Sequence, residues 1–103
     1  MDLEGKISLV TGAGQGIGEG IAKVLAAQGS QVILVDLNGE SAKKVSDEIN
    51  LKFPDSAFSF EADLTDENAI NSMIEFINQK FKRLDCICNN AAASKGIGPV
   101  ETY

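Results

Sequence analysis

Eight residues, Thr11 to Gly18 (TGAGQGIG), constrain this chain more than any other stretch. Glycine reaches backbone conformations closed to other residues and leaves no side chain in the way of a close approach. Gly12, Gly14, Gly16 and Gly18 therefore mark a tight turn. The run before it, Ile7 to Val10, is strand-like. From Ile17 onward, Ile21, Val24 and Leu25 recur at helical spacing. A strand, a glycine turn and a helix start bring backbone N–H groups and the positive end of a helix dipole to one place, a geometry suited to phosphate.

The rest of the chain repeats that alternation. Gly29 ends the first helix, and Gln31 to Val35 (QVILV) is a continuous apolar run, as in a strand buried on both faces. Asn38 is a fitting N-cap for a second helix with Ala42, Val45 and Ile49 on its apolar face. Pro54 stops that helix, with Asn50 expected to fray its last turn. Ala57 to Phe60 reads as a third strand. Thr65 is the expected cap of a third helix carrying the stripe Ile70, Met73, Ile74, Ile77 and Phe81. Leu84 to Cys88 reads as a fourth strand, and Asn89 to Tyr103 as loop. Strands separated by helices imply parallel pairing through right-handed crossovers. The expected fold is α/β, a Rossmann-type three-layer α/β/α arrangement with a parallel four-stranded sheet in the order 3-2-1-4. Its ligand crevice lies where the order reverses, at the carboxyl ends of the strands. The length of 103 residues fits one domain, residues 1–103.

Asp36 narrows the ligand. It ends the second strand near the spacing expected of the acidic residue that binds an adenosine ribose. A carboxylate accepts hydrogen bonds from both ribose hydroxyls and repels a 2′-phosphate. Ala13, Gln15 and Leu37 provide no cation to offset that repulsion, so the expected cofactor is NAD. The formal net charge of −6 does not oppose this, because the phosphate would rest on backbone N–H groups. That charge does argue against nucleic acid or an anionic membrane as partner, since both demand clustered Lys and Arg. Lys80, Lys82 and Arg83 instead sit where cations favour a helix C-terminus.

These residues resemble the short-chain dehydrogenases/reductases over essentially the whole chain. The family's Thr-Gly-x-x-x-Gly-x-Gly is met by Thr11, Gly12, Gly16 and Gly18, and Ala62-Asp63-Leu64-Thr65 follows the third strand as in the family. Asn89-Asn90-Ala91-Ala92 matches Asn-Asn-Ala-Gly except at Ala92. The resemblance implies a cofactor-binding set with Gly12, Gln15, Gly16, Ile17 and Gly18 at the pyrophosphate. It implies Asp36 and Leu37 at the adenosine, Asp63 and Leu64 at the adenine, and Asn90 and Ala91 beside the nicotinamide ribose. It further implies an oxidoreductase moving hydride between NAD(H) and an alcohol or ketone.

The family's Ser and Tyr-x-x-x-Lys set has no counterpart here. Tyr103 is the last residue and no His is present, so no catalytic residue is assigned and the isolated chain is expected to be inactive. The expectation is the cofactor-binding N-terminal part of a longer enzyme. The alternative is a non-catalytic dinucleotide-binding or interaction module. In that second form the fourth strand would expose an edge open to association, including as a homo-oligomer; in a longer enzyme further strands and helices would cover it.

Cys86-Ile87-Cys88 has the wrong spacing for a zinc site and no further Cys or His to complete one, so the pair is read as small apolar residues of a strand. Two cysteines are too few for a disulfide framework. No stretch is long and apolar enough to span a bilayer, and MDLEGK lacks the pattern of a signal peptide. The expected location is cytoplasmic.

Overall fold

The β-branched and apolar runs form the strands and the amphipathic segments form the helices, alternating strictly along the chain. A computed structural model describes residues 2–90. The elements are β1 (Ile7–Thr11), α1 (Gly16–Ala27), β2 (Gln31–Asp36), α2 (Gly39–Lys52), β3 (Ala57–Glu61), α3 (Glu67–Lys80) and β4 (Cys86–Asn89). All pairings are parallel and the order is β3-β2-β1-β4, as the sequence predicts. Leu9 lies opposite Ile33 on one side and Ile87 on the other, and Val35 lies opposite Phe60.

Side chains of a strand alternate between its faces, so each strand feeds two apolar layers. One face packs Val10, Val32 and Leu34 against Ala22 and Ala26 of α1 and Val45 and Ile49 of α2. The other packs Ile7, Leu9, Ile33 and Val35 against Met73 and Ile77 of α3. The four central residues of β2, Val32 to Val35, are fully buried. Two buried hydroxyls sit among them. Ser8 Oγ and Ser30 Oγ share a hydrogen bond of 2.7 Å, and Ser30 Oγ also lies 3.1 Å from the Lys6 carbonyl.

Four details differ from the sequence reading. In α1 the buried line is Gly18, Ala22 and Ala26, while Val24 is exposed, because a helix this close to its sheet needs small residues at the contact. Asp66, not Thr65, caps α3, accepting from the Asn68 N–H at 2.9 Å. Asn50 does not fray α2. Its Oδ1 accepts from the Ser56 and Ala57 N–H groups and its Nδ2 donates to the Ala57 carbonyl, joining the end of α2 to the start of β3. Leu84 precedes β4, where Asp85 Oδ2 accepts the Ile7 N–H at 2.8 Å and Asp85 pairs with Arg83. Among the described residues no helix is long and apolar enough to cross a membrane.

Candidate cofactor-binding site

Parallel strands place all their carboxyl ends on one side, and the candidate residues gather there. The chain leaves β1 through Gly12, whose φ of +62° is a conformation that favours glycine. The Ala13 N–H then donates to the Val35 carbonyl at 3.2 Å, tying the loop to the end of β2. Gly14 follows, and its N–H donates to Asp36 Oδ2 at 2.8 Å. Gln15 occupies the N-cap of α1 in extended conformation and its side chain makes no capping bond. The first N–H groups of α1 thus have no acceptor within the helix or from its cap residue.

The glycines do separate work. A Cβ on Gly18 would lie 2.0 Å from the Gly12 carbonyl oxygen and 2.8 Å from Asn90 Nδ2, so only glycine lets α1 start this close to the loop. A Cβ on Gly14 would lie 2.6 Å from Ser41 Cβ and 2.8 Å from Asp36 Oδ2. Gly16 is the opposite case. Its φ is +60° and a Cβ there would meet nothing within 4 Å. The loop is closed toward the protein at Gly14 and Gly18 and open at Gly16, a cradle of backbone with space beside it. That shape and its N–H donors fit a pyrophosphate.

Asp36 is held by two backbone donors, with Oδ1 accepting the Asn38 N–H at 2.9 Å and Oδ2 the Gly14 N–H. A carboxylate has about four lone-pair sites, so acceptor capacity remains for further hydroxyls. The Ala62 N–H donates to the Asp36 carbonyl at 3.1 Å, which brings Asp63 to the same end of the sheet. Asp63 is exposed. Its Oδ1 takes both the Thr65 hydroxyl at 2.6 Å and the Thr65 N–H at 2.9 Å. These two bonds, the hydroxyl's first, hold its carboxyl below the usual carboxylate range.

On the far side of β1, Thr11 Oγ1 donates to Asn89 Oδ1 at 2.9 Å and accepts the Asn90 N–H at 2.8 Å. Asn90 Nδ2 reaches the Gly12 carbonyl at 3.5 Å. Ile17 and Leu37 are exposed at the crevice, and Leu64 packs back against the layer beneath α3. Gly12, Gly16, Gly18, Asp36 and Asn90 are therefore joined through the loop, with Asp63 one ladder step away. Ala91 lies outside the described residues. Gly14, Thr11 and Asn89 are not among the residues expected from sequence to bind cofactor, although each braces one or its neighbour. Thr11 and Asn89 lie opposite each other across β1 and β4, a register that only the fold reveals.

A family model for short chain dehydrogenase matches residues 6–102. A 3-oxoacyl-(acyl-carrier-protein) reductase, FabG, from Aquifex aeolicus is 42% identical over 93 residues, covering 90% of this chain and 38% of the relative. The structure of a 3-ketoacyl-(acyl-carrier-protein) reductase from Brucella melitensis complexed with NADH is 38% identical with a TM-score of 0.77, covering 84% of this chain and 34% of that one. The structure of L-sorbose reductase from Gluconobacter frateurii, complexed with NADPH and L-sorbose, is 25% identical with a TM-score of 0.84, covering 90% of this chain and 36% of that one. The chain thus spans about a third of the length of the proteins it matches.

Proposed function

The chain belongs to the short-chain dehydrogenase family, and on that premise we propose that residues 1–103 form one dinucleotide-binding unit selective for NAD(H). It would serve an oxidoreductase that moves hydride between NAD(H) and an alcohol or ketone. When bound, the cofactor supplies the hydride-carrying nicotinamide ring. The chain's own residues bind and orient it. The loop from Gly12 to Gly18, with Gln15 and Ile17, receives the pyrophosphate on backbone N–H groups. Asp36 accepts from the adenosine ribose with Leu37 beside it. Asp63 accepts from the adenine amino group, next to Leu64. Asn90 and Ala91 flank the nicotinamide ribose.

The observation that carries the choice of NAD is the fixed carboxylate of Asp36, held against the glycine loop by the Gly14 N–H at 2.8 Å. Matched structures hold NADH in one case and NADPH in another, so the choice rests on this chain's own residues. Each like-charge pair at about 4 Å costs roughly 1–4 kcal/mol between aqueous and near-surface dielectric. A 2′-phosphate placed beside Asp36 meets that repulsion with Ala13, Gln15 and Leu37 as neighbours.

Asp36→Asn tests the assignment: the amide oxygen keeps the Gly14 bond at the expense of the Asn38 one, and the charge is gone. Hydrogen bonds to a charged group are worth about 1.5–3 kcal/mol. The variant should therefore bind NAD about 10- to 150-fold more weakly and lose its discrimination against NADP. Unchanged NAD affinity in a folded Asp36→Asn protein would remove Asp36 from the site.

A further inference from the structure

β4 carries two nucleophiles that the cofactor site does not use. Cys86 and Cys88 stand two positions apart on one strand, so their side chains share a face. Their sulfurs are 3.9 Å apart and both residues are half-buried. β4 pairs with β1 on one side, Cys86 opposite Ser8 and Cys88 opposite Val10, and is the outermost strand of the described sheet on the other. We propose that Cys86 and Cys88 form a bidentate site for a thiophile that makes two sulfur bonds at one atom, of the class of the monosubstituted trivalent arsenicals.

The distances select this class over two others. Bonds of about 2.3 Å from a soft metal to sulfur span at most about 4.6 Å, so sulfurs 3.9 Å apart accept one bridging atom at a bent angle. A disulfide requires Cβ atoms about 3.8 Å apart, whereas alternate residues of a strand are separated by about 6.6 Å. Direct oxidation would have to break the extended form of β4, and capture by one bridging atom leaves it in place. A tetrahedral zinc site needs further ligands, and among the described residues no group of three or more His, Cys, Asp or Glu comes together to hold a metal. Burial and then the neighbouring Cys86 hold the Cys88 thiol above the ordinary cysteine range, so Cys88 enters as the protonated thiol at neutral pH.

The reaction balances without an oxidant. With an arsenoxide, two arsenic–sulfur bonds form while two S–H bonds and the bonding to the arsenoxide oxygen break. Both protons leave on that oxygen as one water. Arsenic stays trivalent and neither thiol is oxidised.

The test is mass spectrometry of the folded 103-residue chain treated with phenylarsine oxide, first in excess 2-mercaptoethanol and then in dithiothreitol. The expected result is one adduct per chain that survives the monothiol and is stripped by the dithiol. Cys86→Ser and Cys88→Ser should each lose the surviving adduct while keeping the wild-type circular dichroism. Failure of the wild type to hold the reagent against the monothiol would overturn the proposal. So would an adduct that survives in either serine variant, or one that forms only as the dichroism of the fold is lost.

Discussion

Gly18→Ala is the substitution for which the geometry makes the sharpest demand. Its Cβ would stand 2.0 Å from the Gly12 carbonyl oxygen and 2.8 Å from that carbonyl's carbon. Contacts below 3.0 Å essentially never occur, so the loop and the start of α1 must part by about 1 Å. The obstructing atoms are backbone, already placed by the Ala13 and Gly14 hydrogen bonds, and do not swing aside. Overpacking of this kind costs about 1–3 kcal/mol, and the rigidity of the obstacle argues for the upper end. Alanine's better helix propensity returns up to about 1 kcal/mol. The net loss is about 2 kcal/mol, a fall of about 0.7–2 M in the urea midpoint at ordinary slopes for a small domain. Gly20→Ala is the internal control. It lies in the same helix and its Cβ would meet nothing within 4 Å, so only the propensity gain remains and stability should rise by up to about 1 kcal/mol. The chain has no Trp, so unfolding is followed by far-ultraviolet circular dichroism. A Gly18→Ala midpoint equal to or above the wild type would refute the close-approach reasoning.

Two further perturbations test the scaffold. Asn50→Ala removes three hydrogen bonds to the Ser56 and Ala57 backbone and should cost about 2–3 kcal/mol in urea unfolding; a loss below about 0.5 kcal/mol would show that the bridge is dispensable. The Arg83 guanidinium, and next the Ile7 N–H, hold the Asp85 carboxyl below the usual carboxylate range. A depressed carboxyl adds stability above its unfolded value of about 3.9, and that stability is lost as pH falls through the lower folded value. The urea midpoint should therefore drop on acidification below about pH 4 with a shallower slope in Asp85→Asn; identical slopes would contradict the assignment.

The sheet order was legible because its causes are local and repeated. The apolar run of β2, the glycine turn after β1 and three helical stripes leave few topologies once right-handed crossovers are required. What escaped depends on distance in space. Val24 looks like a core residue by spacing, yet the closeness that Gly18 permits puts Ala22 and Ala26 at the contact. Thr65 and Asp66 are adjacent and chemically equivalent as caps. The choice falls to Asp66 because the Thr65 hydroxyl is engaged by Asp63. Asn50 bonds backbone across the turn after α2, and Asp85 bonds the Ile7 N–H of a strand distant in sequence; periodicity reports neither. Among the residues that gather at the candidate site, Gly12, Gly16, Gly18 and Asp36 stand out in the sequence by their motif and spacing. Gly14 occupies a variable position of that motif, and its need for glycine appears only once Ser41 and Asp36 are beside it.

The most direct test of the central reading is calorimetric titration of the folded chain with NAD and, separately, with NADP. The Asp36 carboxylate beside the glycine loop predicts one NAD site per chain and NADP binding at least about 5-fold weaker, the effect of roughly 1 kcal/mol of repulsion at the lower end of the roughly 1–4 kcal/mol range. NADP binding as tightly as NAD, or a folded chain that takes up neither, would contradict it.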